Sequence, residues 1–418
     1  MKIALVARHA APTAVADPYA RQEAEHVLGL GHALAAQGHR VVLYARRDRP
    51  GLPGKVTLAP GLTAEYLTAG PAAPVPREEL QALVADIGRH LASRWKRAAP
   101  DVVHAHHWTN GLAALLAARE RPVPVVQSFG SLGSAEQRHG LPGSGGSTRV
   151  RMEGSIARAV DRIVAHTTEE VAELARLGIA SSRVSVVPCA FDASQFGPDG
   201  PVTARGDRLR LLQVGSLAEH ERLDLLLRAL PEMPRAELVV AGGPAQDELE
   251  SDLCYKKLGK LAAGLGVADR VTVTGAVSLA DLPALLRSSD LLVSATRYEP
   301  FGLAAIRAMA CGTPVVATAV GGYADAVIDE TTGLLAPPGR TDIFLRRLRD
   351  LSGSPMKLAA FSIGATDRAR SRYPWERIAG ETAAAYRRSL ARSAGLPAQV
   401  RELPAQRAGS VRRRQHAA

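Results

Sequence analysis

Aromatic residues and cysteines are scarce in this sequence, and each shortage argues against a class of function. Phe, Trp and Tyr make up 4% of the 418 residues. A surface that stacks the bases of single-stranded nucleic acid is therefore not expected, because it needs aromatic rings. Cys189, Cys254 and Cys311 show neither CxxC nor other metal-ligand spacing. We interpret them as small buried residues of a protein in a reducing compartment.

Long hydrophobic runs are also missing. No stretch approaches the roughly 18 apolar residues that predict a membrane-spanning helix. Residues 1–6 form a strand-like segment, without the basic and then apolar leader of a secreted protein. The sequence therefore predicts a cytoplasmic location.

Motifs for common cofactors and metals are lacking as well. No G-x-G-x-x-G follows the first strand, and no G-x-x-x-x-G-K-[ST] occurs. Neither H-E-x-x-H nor a pair of CxxC motifs is present. We expect no bound cofactor and no metal ion.

Acidic residues are fewer than basic ones, which gives a net charge of +11. Residues 391–418 hold six arginines against one acid, Glu402, so this segment supplies 6 − 1 = +5 of the total. Its Pro- and Ala-rich composition predicts a disordered, solvated tail. We therefore do not expect nucleic acid as a partner.

Short apolar segments alternate with helix-period segments along both halves of the chain. This alternation predicts parallel sheets joined by crossover helices. The predicted strands are Lys2–Ala7, Arg40–Tyr44, Val102–His104, Val123–Gln127, Arg162–Ala165, Val184–Pro188, Leu209–Val214, Ala236–Ala241, Val271–Thr274, Leu291–Ser294 and Val315–Ala317. We expect an α/β protein with two Rossmann-like domains that face a cleft, where ligands lie at the carboxyl ends of the strands.

A turn-rich segment divides the two halves. Residues 192–208 contain the run Gly-Pro-Asp-Gly-Pro at 197–201 and few apolar residues, which indicates a linker. We expect a first domain over residues 1–191 and a second domain over residues 209–373. A helix at about 374–390 is expected to cross back to the first domain.

One segment of the second half carries a distinctive motif. Residues 298–303 read Tyr-Glu-Pro-Phe-Gly-Leu, and residues 308–316 read Ala-Met-Ala-Cys-Gly-Thr-Pro-Val-Val. This segment resembles the donor-site signature of the family-4 retaining glycosyltransferases. Further matching stretches are Gly38-His39, His104–Trp108, Val187–Asp192, Gly321-Gly322 and Thr332–Pro337. The resemblance covers residues 1 to about 390 and implies the GT-B arrangement of two Rossmann-like domains.

The chemistry of the motif fits that resemblance. Gly302 and Leu303, next to Phe301, would open a helix whose free N–H groups suit a diphosphate. Glu299 would accept hydrogen bonds from hydroxyls of the donor sugar; an acid that serves only the helix dipole is the alternative. The resemblance implies a nucleotide-sugar donor in the second domain and an acceptor in the first. It also implies transfer with retention, in which the leaving diphosphate takes the proton of the acceptor.

Three histidines follow a strand of the first half and are expected to face the cleft. Of His104, His106 and His107, we select His106 as a candidate catalytic residue that would touch the acceptor or the sugar. The alternative for each is a structural histidine whose hydrogen bonds are satisfied within the core.

Several positions depart from the family pattern. The family places a ribose-binding acid at the position of Arg307, and a diphosphate-binding Arg and Lys at those of Ser216 and Glu221. A donor-facing His would stand at Gly130. The glycine pair of the family's first loop is missing from residues 17–22.

These departures would weaken the donor site. Loss of one charge-assisted hydrogen bond costs about 1.5–3 kcal/mol, so two losses and a like charge exceed ~4 kcal/mol. Arg222, Arg297 and Arg307 are the candidates that would restore positive charge. We also hypothesise that Glu221 and Arg307 form an ion pair across an emptied pocket, against the alternative of two unrelated surface charges.

Three functions remain as alternatives. The first is glycosyl transfer from a nucleotide sugar to an unknown acceptor through a remodelled donor site. The second is a catalytically inactive relative that binds a protein partner or a ligand, and the third is a pseudo-glycosyltransferase with an unusual donor. The basic run Arg94–Arg97 would allow contact with an anionic membrane surface, against the plainer alternative of a solvated helix end.

Overall fold

The computed structural model describes residues 1–10, 18–76, 79–141 and 146–394, and its strands form two sheets. The first sheet contains β1 (Lys2–Ala7), β2 (Arg40–Arg46), β3 (Lys55–Ala59), β4 (Leu62–Leu67), β5 (Val102–His106), β6 (Val125–Ser128), β7 (Arg162–Ala165) and β8 (Val184–Val186). The second contains β9 (Leu209–Val214), β10 (Ala236–Ala241), β11 (Val271–Gly275), β12 (Leu291–Ser294), β13 (Val315–Thr318) and β14 (Gly333–Ala336).

Helices connect the strands and cover the sheets. Those of the first half are α1 (Pro18–Ala36), α2 (Val84–Arg97), α3 (Trp108–Glu120), α4 (Gly133–Arg138), α5 (Gly146–Ala159) and α6 (Thr168–Arg176). Those of the second half are α7 (Leu223–Ala229), α8 (Leu253–Gly264), α9 (Leu282–Arg287), α10 (Leu303–Ala310), α11 (Gly321–Ala326), α12 (Thr341–Ser352), α13 (Pro355–Arg372) and α14 (Trp375–Ala394).

The first sheet has the strand order β3-β4-β2-β1-β5-β6-β7-β8, and only β3 and β4 pair in antiparallel fashion. Helices cover both faces of a parallel sheet, so its central strands are apolar on both sides. In β1, every residue after Lys2 is buried. The continuous apolar run at the start of the chain is therefore a central strand.

The second sheet has the order β11-β10-β9-β12-β13-β14, with all neighbours parallel. The order reverses between β9 and β12. The loops that follow these two strands diverge to opposite faces and leave a crevice at the carboxyl ends, where doubly wound sheets bind ligands. The prediction of two Rossmann-like α/β domains is confirmed.

The last described helix returns to the first domain. Helix α14 packs on α1, and its buried residues Ile378, Ala379 and Tyr386 join the core around β1 and β2. The Tyr386 hydroxyl lies 2.8 Å from Nδ1 of His104 on β5. Residues from both ends of the described chain therefore build one core.

Direct hydrogen bonds join the two domains on one side of the crevice. The backbone N–H and the hydroxyl of Thr168 donate to the two carboxylate oxygens of Asp325 at 2.7 and 2.6 Å. The N–H of Gly321 donates to Oε2 of Glu169 at 2.7 Å. The start of α6 in the first domain is thereby docked on α11 in the second.

Two details of the sequence interpretation need correction. Strands β3, β4 and β14 were not predicted, and α14 extends to Ala394, past the expected end of the helix. Residues 395–418 of the predicted tail lie outside the described residues.

Contact of the run Arg94–Arg97 with an anionic membrane surface stays a prediction, and the structure shows how these side chains are placed. Trp95 is fully buried, while Arg94 pairs with Glu65 at 3.5 Å and Lys96 with Glu120 at 2.5 Å. The run therefore presents no aromatic ring to a membrane. None of the described helices combines the length and apolar character needed to cross one.

Candidate functional site

Loops from both domains line the crevice between the two sheets. In the second domain they follow β9 at residues 215–222, β12 at 295–302 and β13 at 319–320. In the first domain they follow β6 at 129–132 and β7 at 166–167. All these loops leave the carboxyl ends of parallel strands, as expected for a ligand site in this architecture.

Glu299 lies in the loop after β12, just before α10. Its Oε1 accepts hydrogen bonds from the N–H groups of Phe301 and Gly302, both at 3.0 Å. Burial raises the pKa of Glu299, and the two N–H donors oppose that shift. Its Oε2 accepts no hydrogen bond within the described part of the chain. The carboxylate thus stabilises the helix start and still has one oxygen available to a ligand.

The residues that open α10 are closely packed. Gly302 has φ 72°, and a Cβ placed there would lie 2.6 Å from the carbonyl oxygen of Gly322. Phe301 and Leu303 are buried against Cys189 in a small apolar cluster. The side chains of Phe301 and Leu303 therefore pack in the interior, and a role of these residues in donor binding stays a prediction. The N–H groups at 301 and 302 already hold Glu299.

A small pocket of about 20 Å³ lies between the domains at Glu299. We call it the Glu299 pocket; its walls include Ser131, Glu169, Glu170, Tyr298 and Glu299. This volume holds one water-sized group. Three carboxylates and the two-domain wall suit a hydroxyl or another hydrogen-bond donor of a ligand.

Glu170 is the most unusual carboxylate of this pocket. Burial raises its pKa to about 7, and its Oε2 accepts a hydrogen bond from the N–H of His166 at 2.8 Å. Its Oε1 is buried and has no hydrogen-bond partner among the described residues. The pocket therefore contains a second oxygen that could accept a hydrogen bond from a ligand.

Ser216 and Glu221, the residues at the predicted diphosphate positions, bind each other. Oε1 of Glu221 accepts hydrogen bonds from the N–H and from the hydroxyl of Ser216, both at 3.2 Å. Burial, followed by the nearby charge of Glu299, raises the pKa of Glu221 to about 7. The side chain of Glu221 is thus folded back into its own loop.

Arg307 has a different partner from the one hypothesised. Its Nη2 lies 2.9 Å from Oε2 of Glu25 on α1, and its guanidinium stacks over the Phe196 ring at 5.2 Å. The hypothesis of a Glu221–Arg307 pair is wrong, because Glu221 binds Ser216 while Arg307 reaches across to the first domain. The arginine that stands at position 307 in place of the family's acid thus forms an ion pair between the two domains.

A side chain at position 130 would meet the ring of Phe301 from the second domain. Gly130 has φ 76°, and a Cβ there would lie 3.4 Å from Cζ of Phe301. The ring of Phe301 thus covers the position at which the family would place a histidine. The stretch at 17–22 is described only from residue 18, so Asp17 lies outside the described residues.

His106 belongs to a buried group of histidines. Its ring centroid lies 4.1 Å from that of His104 and 6.1 Å from that of His26. Burial, together with the neighbouring His104 and His166, lowers the pKa of His106. It lines neither of the pockets described here, so its surroundings favour the structural alternative and catalysis by His106 stays a prediction.

A second and larger pocket lies at the carboxyl ends of β12, β13 and β14. Its volume is about 250 Å³, and residues of both domains line it. Five basic side chains belong to its wall: Arg138, His139, Arg222, Arg297 and Arg340. We call it the arginine pocket. Arg222, predicted at the diphosphate, therefore faces a space separate from the start of α10.

The two pockets share a wall of three side chains. The ring centroids of His139 and Tyr298 lie 5.3 Å apart, and Nε2 of His139 lies 2.6 Å from Oε1 of Glu169. Tyr298 and Glu169 line the Glu299 pocket, and His139 lines the arginine pocket. A ligand that spans this wall would contact acids at one end and arginines at the other.

The sequence interpretation missed the first-domain side of the site. The run Thr-Thr-Glu-Glu at 167–170 has the pattern of a capped helix start, and Oγ1 of Thr167 does accept the N–H of Glu170. That pattern does not indicate that Glu169 and Glu170 also line a pocket. For Arg138 and His139 the sequence offers no signal.

No metal centre is apparent in the described ranges. None of their groups of His, Cys, Asp or Glu has three or more members placed to hold a metal ion.

Comparisons with protein families match both halves of the chain. Residues 24–195 match the family described as Glycosyltransferase Family 4. Residues 200–368 match the family described as Glycosyl transferases group 1.

Named relatives match nearly the whole chain. The D-inositol 3-phosphate glycosyltransferase 1 of Catenulispora acidiphila is 34% identical over 392 residues, which cover 89% of this chain and 92% of the relative. The D-inositol 3-phosphate glycosyltransferase of Streptomyces scabiei is 34% identical over 384 residues, covering 86% and 85%.

Solved structures have the same two-domain fold. Sucrose-phosphate synthase from Thermosynechococcus elongatus superposes with a TM-score of 0.81 at 25% identity, covering 94% of this chain and all of the other. Anabaena HepE, solved with UDP and glucose, superposes with a TM-score of 0.68 at 19% identity, covering 92% and 98%.

Proposed function

Because this chain belongs to the group 1 and family 4 glycosyltransferases of GT-B fold, we propose that it transfers a sugar from a nucleotide-sugar donor to a phosphorylated polyol. We further propose that the transfer retains the anomeric configuration. The relatives are named for D-inositol 3-phosphate, and the structural neighbour for sucrose phosphate. These names support a small phosphorylated acceptor.

One observation carries the proposal: the fixed carboxylate of Glu299. Two N–H groups of the α10 start hold its Oε1 at 3.0 Å, while Oε2 remains available to the pocket between the domains. A carboxylate whose orientation is fixed beforehand loses little entropy when it accepts a hydrogen bond. Glu299 would thereby orient a hydroxyl of the donor sugar.

The reaction would proceed without a covalent enzyme intermediate. The bond between the anomeric carbon and the leaving diphosphate breaks, and a bond from that carbon to an acceptor oxygen forms on the same face. The proton of the acceptor hydroxyl passes to an oxygen of the diphosphate. Negative charge therefore develops on the diphosphate, and hydrogen-bond donors or cations must stabilise it.

A second function is favoured by the contact between Ser216 and Glu221. These residues satisfy each other at the positions where the family pattern binds diphosphate, so a catalytically inactive binding protein is the competing proposal. A pseudo-glycosyltransferase with an unusual donor would also fit a changed diphosphate site.

Nucleotide titration and turnover test the proposal together. We would titrate the protein with UDP, GDP, ADP and dTDP by calorimetry and assay transfer to D-myo-inositol 3-phosphate. The variant Glu299→Gln should lower kcat/KM about 100-fold or more, because it weakens a hydrogen bond made to the reacting sugar. Glu237→Gln, on β10 and outside the lining of both pockets, is the control and should retain activity.

The outcome separates the two functions. Micromolar binding of one nucleotide, with turnover that Glu299→Gln abolishes, supports the transferase. If no nucleotide binds to the natural protein, nucleotide binding by the double variant Ser216→Arg/Glu221→Lys distinguishes the two functions. Both residues are changed together because they contact each other. Binding that appears only in this variant would support the inactive relative.

A further inference from the structure

We propose that the arginine pocket binds a phosphate group, and we assign that phosphate to the acceptor. The assignment rests on the proposed transferase function, whereas the binding of phosphate itself does not. Arg222 and Arg297, which the sequence predicts as cations for the donor diphosphate, both line this pocket, so the donor is the competing source of the phosphate in the test.

Charge is the first argument. Arg138, Arg222, Arg297 and Arg340 line the pocket, together with His139. The described lining includes no Asp or Glu, but carboxylates outside it pair with each of these basic groups. The pairs of Arg222 and Arg297 are single contacts that leave other guanidinium N–H groups available. The planar fork of a guanidinium matches two oxygens of a phosphate, so several arginines around one space favour a phosphate group over a neutral one.

Hydrogen-bond capacity is the second argument. Arg222 uses Nε to contact Asp224 at 3.2 Å, and Arg297 uses Nη2 to contact Glu219 at 3.3 Å. Glu219 is 93% exposed, and such surface pairs are weak. The remaining guanidinium N–H groups of Arg222 and Arg297 have no partner in the part of the chain that is described. They can donate to an anion without the loss of an existing bond.

Position is the third argument. The arginine pocket adjoins the Glu299 pocket across the wall of His139, Tyr298 and Glu169. Its volume of about 250 Å³ is ample for a phosphate and part of the molecule that carries it. A phosphorylated polyol with its phosphate among the arginines would therefore lie beside the donor sugar that Glu299 orients.

The backbone conformation of Arg222 allows a substitution that tests phosphate binding without lowering the stability of the protein. Arg222 has φ 57° and ψ 39°, the left-handed conformation that glycine adopts without strain. The variant Arg222→Gly should therefore leave the stability unchanged or raise it. A loss of phosphate binding in this variant would not be explained by unfolding.

The experiment measures binding of inorganic phosphate and of D-myo-inositol 3-phosphate by calorimetry, with myo-inositol as the ligand without phosphate. The natural protein should bind inositol 3-phosphate at least about tenfold more tightly than inositol. Inorganic phosphate should compete with it. Arg222→Gly and Arg297→Ala should each weaken both phosphate ligands about tenfold, whereas Arg228→Ala, an exposed position on α7, should not.

The phosphate site and its assignment to the acceptor are contradicted by different experimental outcomes. Failure of the natural protein to bind inorganic phosphate at about 10 mM, or equal binding by all three variants, overturns the phosphate site. If Arg222→Gly weakens UDP and leaves inositol 3-phosphate unchanged, the phosphate belongs to the donor and the assignment to the acceptor is wrong. Turnover that is indifferent to Arg222→Gly would reject this inference and leave the transferase function intact.

Discussion

The two pockets at the domain junction share a wall but differ in how they are built. The Glu299 pocket holds about 20 Å³, is rich in carboxylates and is surrounded by closely packed backbone. The arginine pocket holds about 250 Å³, and two of its arginines, Arg297 and Arg340, have exposed partners. Close packing thus determines the shape of the Glu299 pocket, whereas charged side chains characterise the arginine pocket. Substitutions should therefore act mainly on stability in one and on ligand affinity in the other.

The largest contrast should come from exchanging Gly302, whose N–H holds Glu299, and Gly339, which lines the arginine pocket. Gly302 and Gly339 both have positive φ, at 72° and 80°, but only Gly302 has backbone within reach of an added Cβ. Gly302→Ala should lower the free energy of unfolding by about 3 kcal/mol, and Gly339→Ala by about 1 kcal/mol. Urea unfolding measures both values. Equal losses would show that the two pockets are packed alike.

Removal of the Glu221 charge should have the next largest effect, and it should depend on pH. The pKa of this carboxyl is about 7 in the folded protein against an ordinary 4.5. The folded state therefore binds the proton more tightly, and this contribution to stability is lost as pH rises from 4.5 to about 7. Relative to the natural protein, Glu221→Gln should gain up to about 3 kcal/mol at pH 8 and little at pH 4.5.

Denaturant unfolding at both pH values tests this expectation. The control is Glu219→Gln, which removes a carboxylate that is 93% exposed in the same loop. A gain of Glu221→Gln that is the same at both pH values would contradict burial as the source of the effect.

The smallest effect is expected in the arginine pocket. The Arg297–Glu219 contact joins side chains that are 43% and 93% exposed. Arg297→Ala should change the free energy of unfolding by no more than about 0.5 kcal/mol. Arg210→Ala is the contrast, because Arg210 is 9% exposed and pairs with Glu237 at 2.7 Å. A loss above about 1 kcal/mol for Arg297→Ala in urea unfolding would show that the pocket contributes to folding.

Much of the fold could be predicted because central parallel strands are apolar along their whole length. β1 and β12 are buried throughout or nearly so, and both stand out in the sequence. The pair β3 and β4 was missed because it lies at a sheet edge, where β3 has no fully buried residue. Such strands lack the signal on which the prediction depended.

The site could be predicted only where it depends on neighbours in sequence. Glu299 and the α10 start lie within four residues, so their contact follows from the motif. Arg307 and Glu25 are 282 positions apart and were not connected by any pattern. The arginine pocket draws its residues from loops of both domains. Its shape depends on how the domains meet, which no local pattern encodes.

The path of α14 has a consequence for the order in which the protein is made. Ile378, Ala379 and Tyr386 complete the core around β1 and β2, and Tyr386 contacts His104. A ribosome must therefore synthesise the entire second domain before the first can close its core. In contrast to chains whose domains fold one after another during translation, the amino-terminal domain here is the last to be finished.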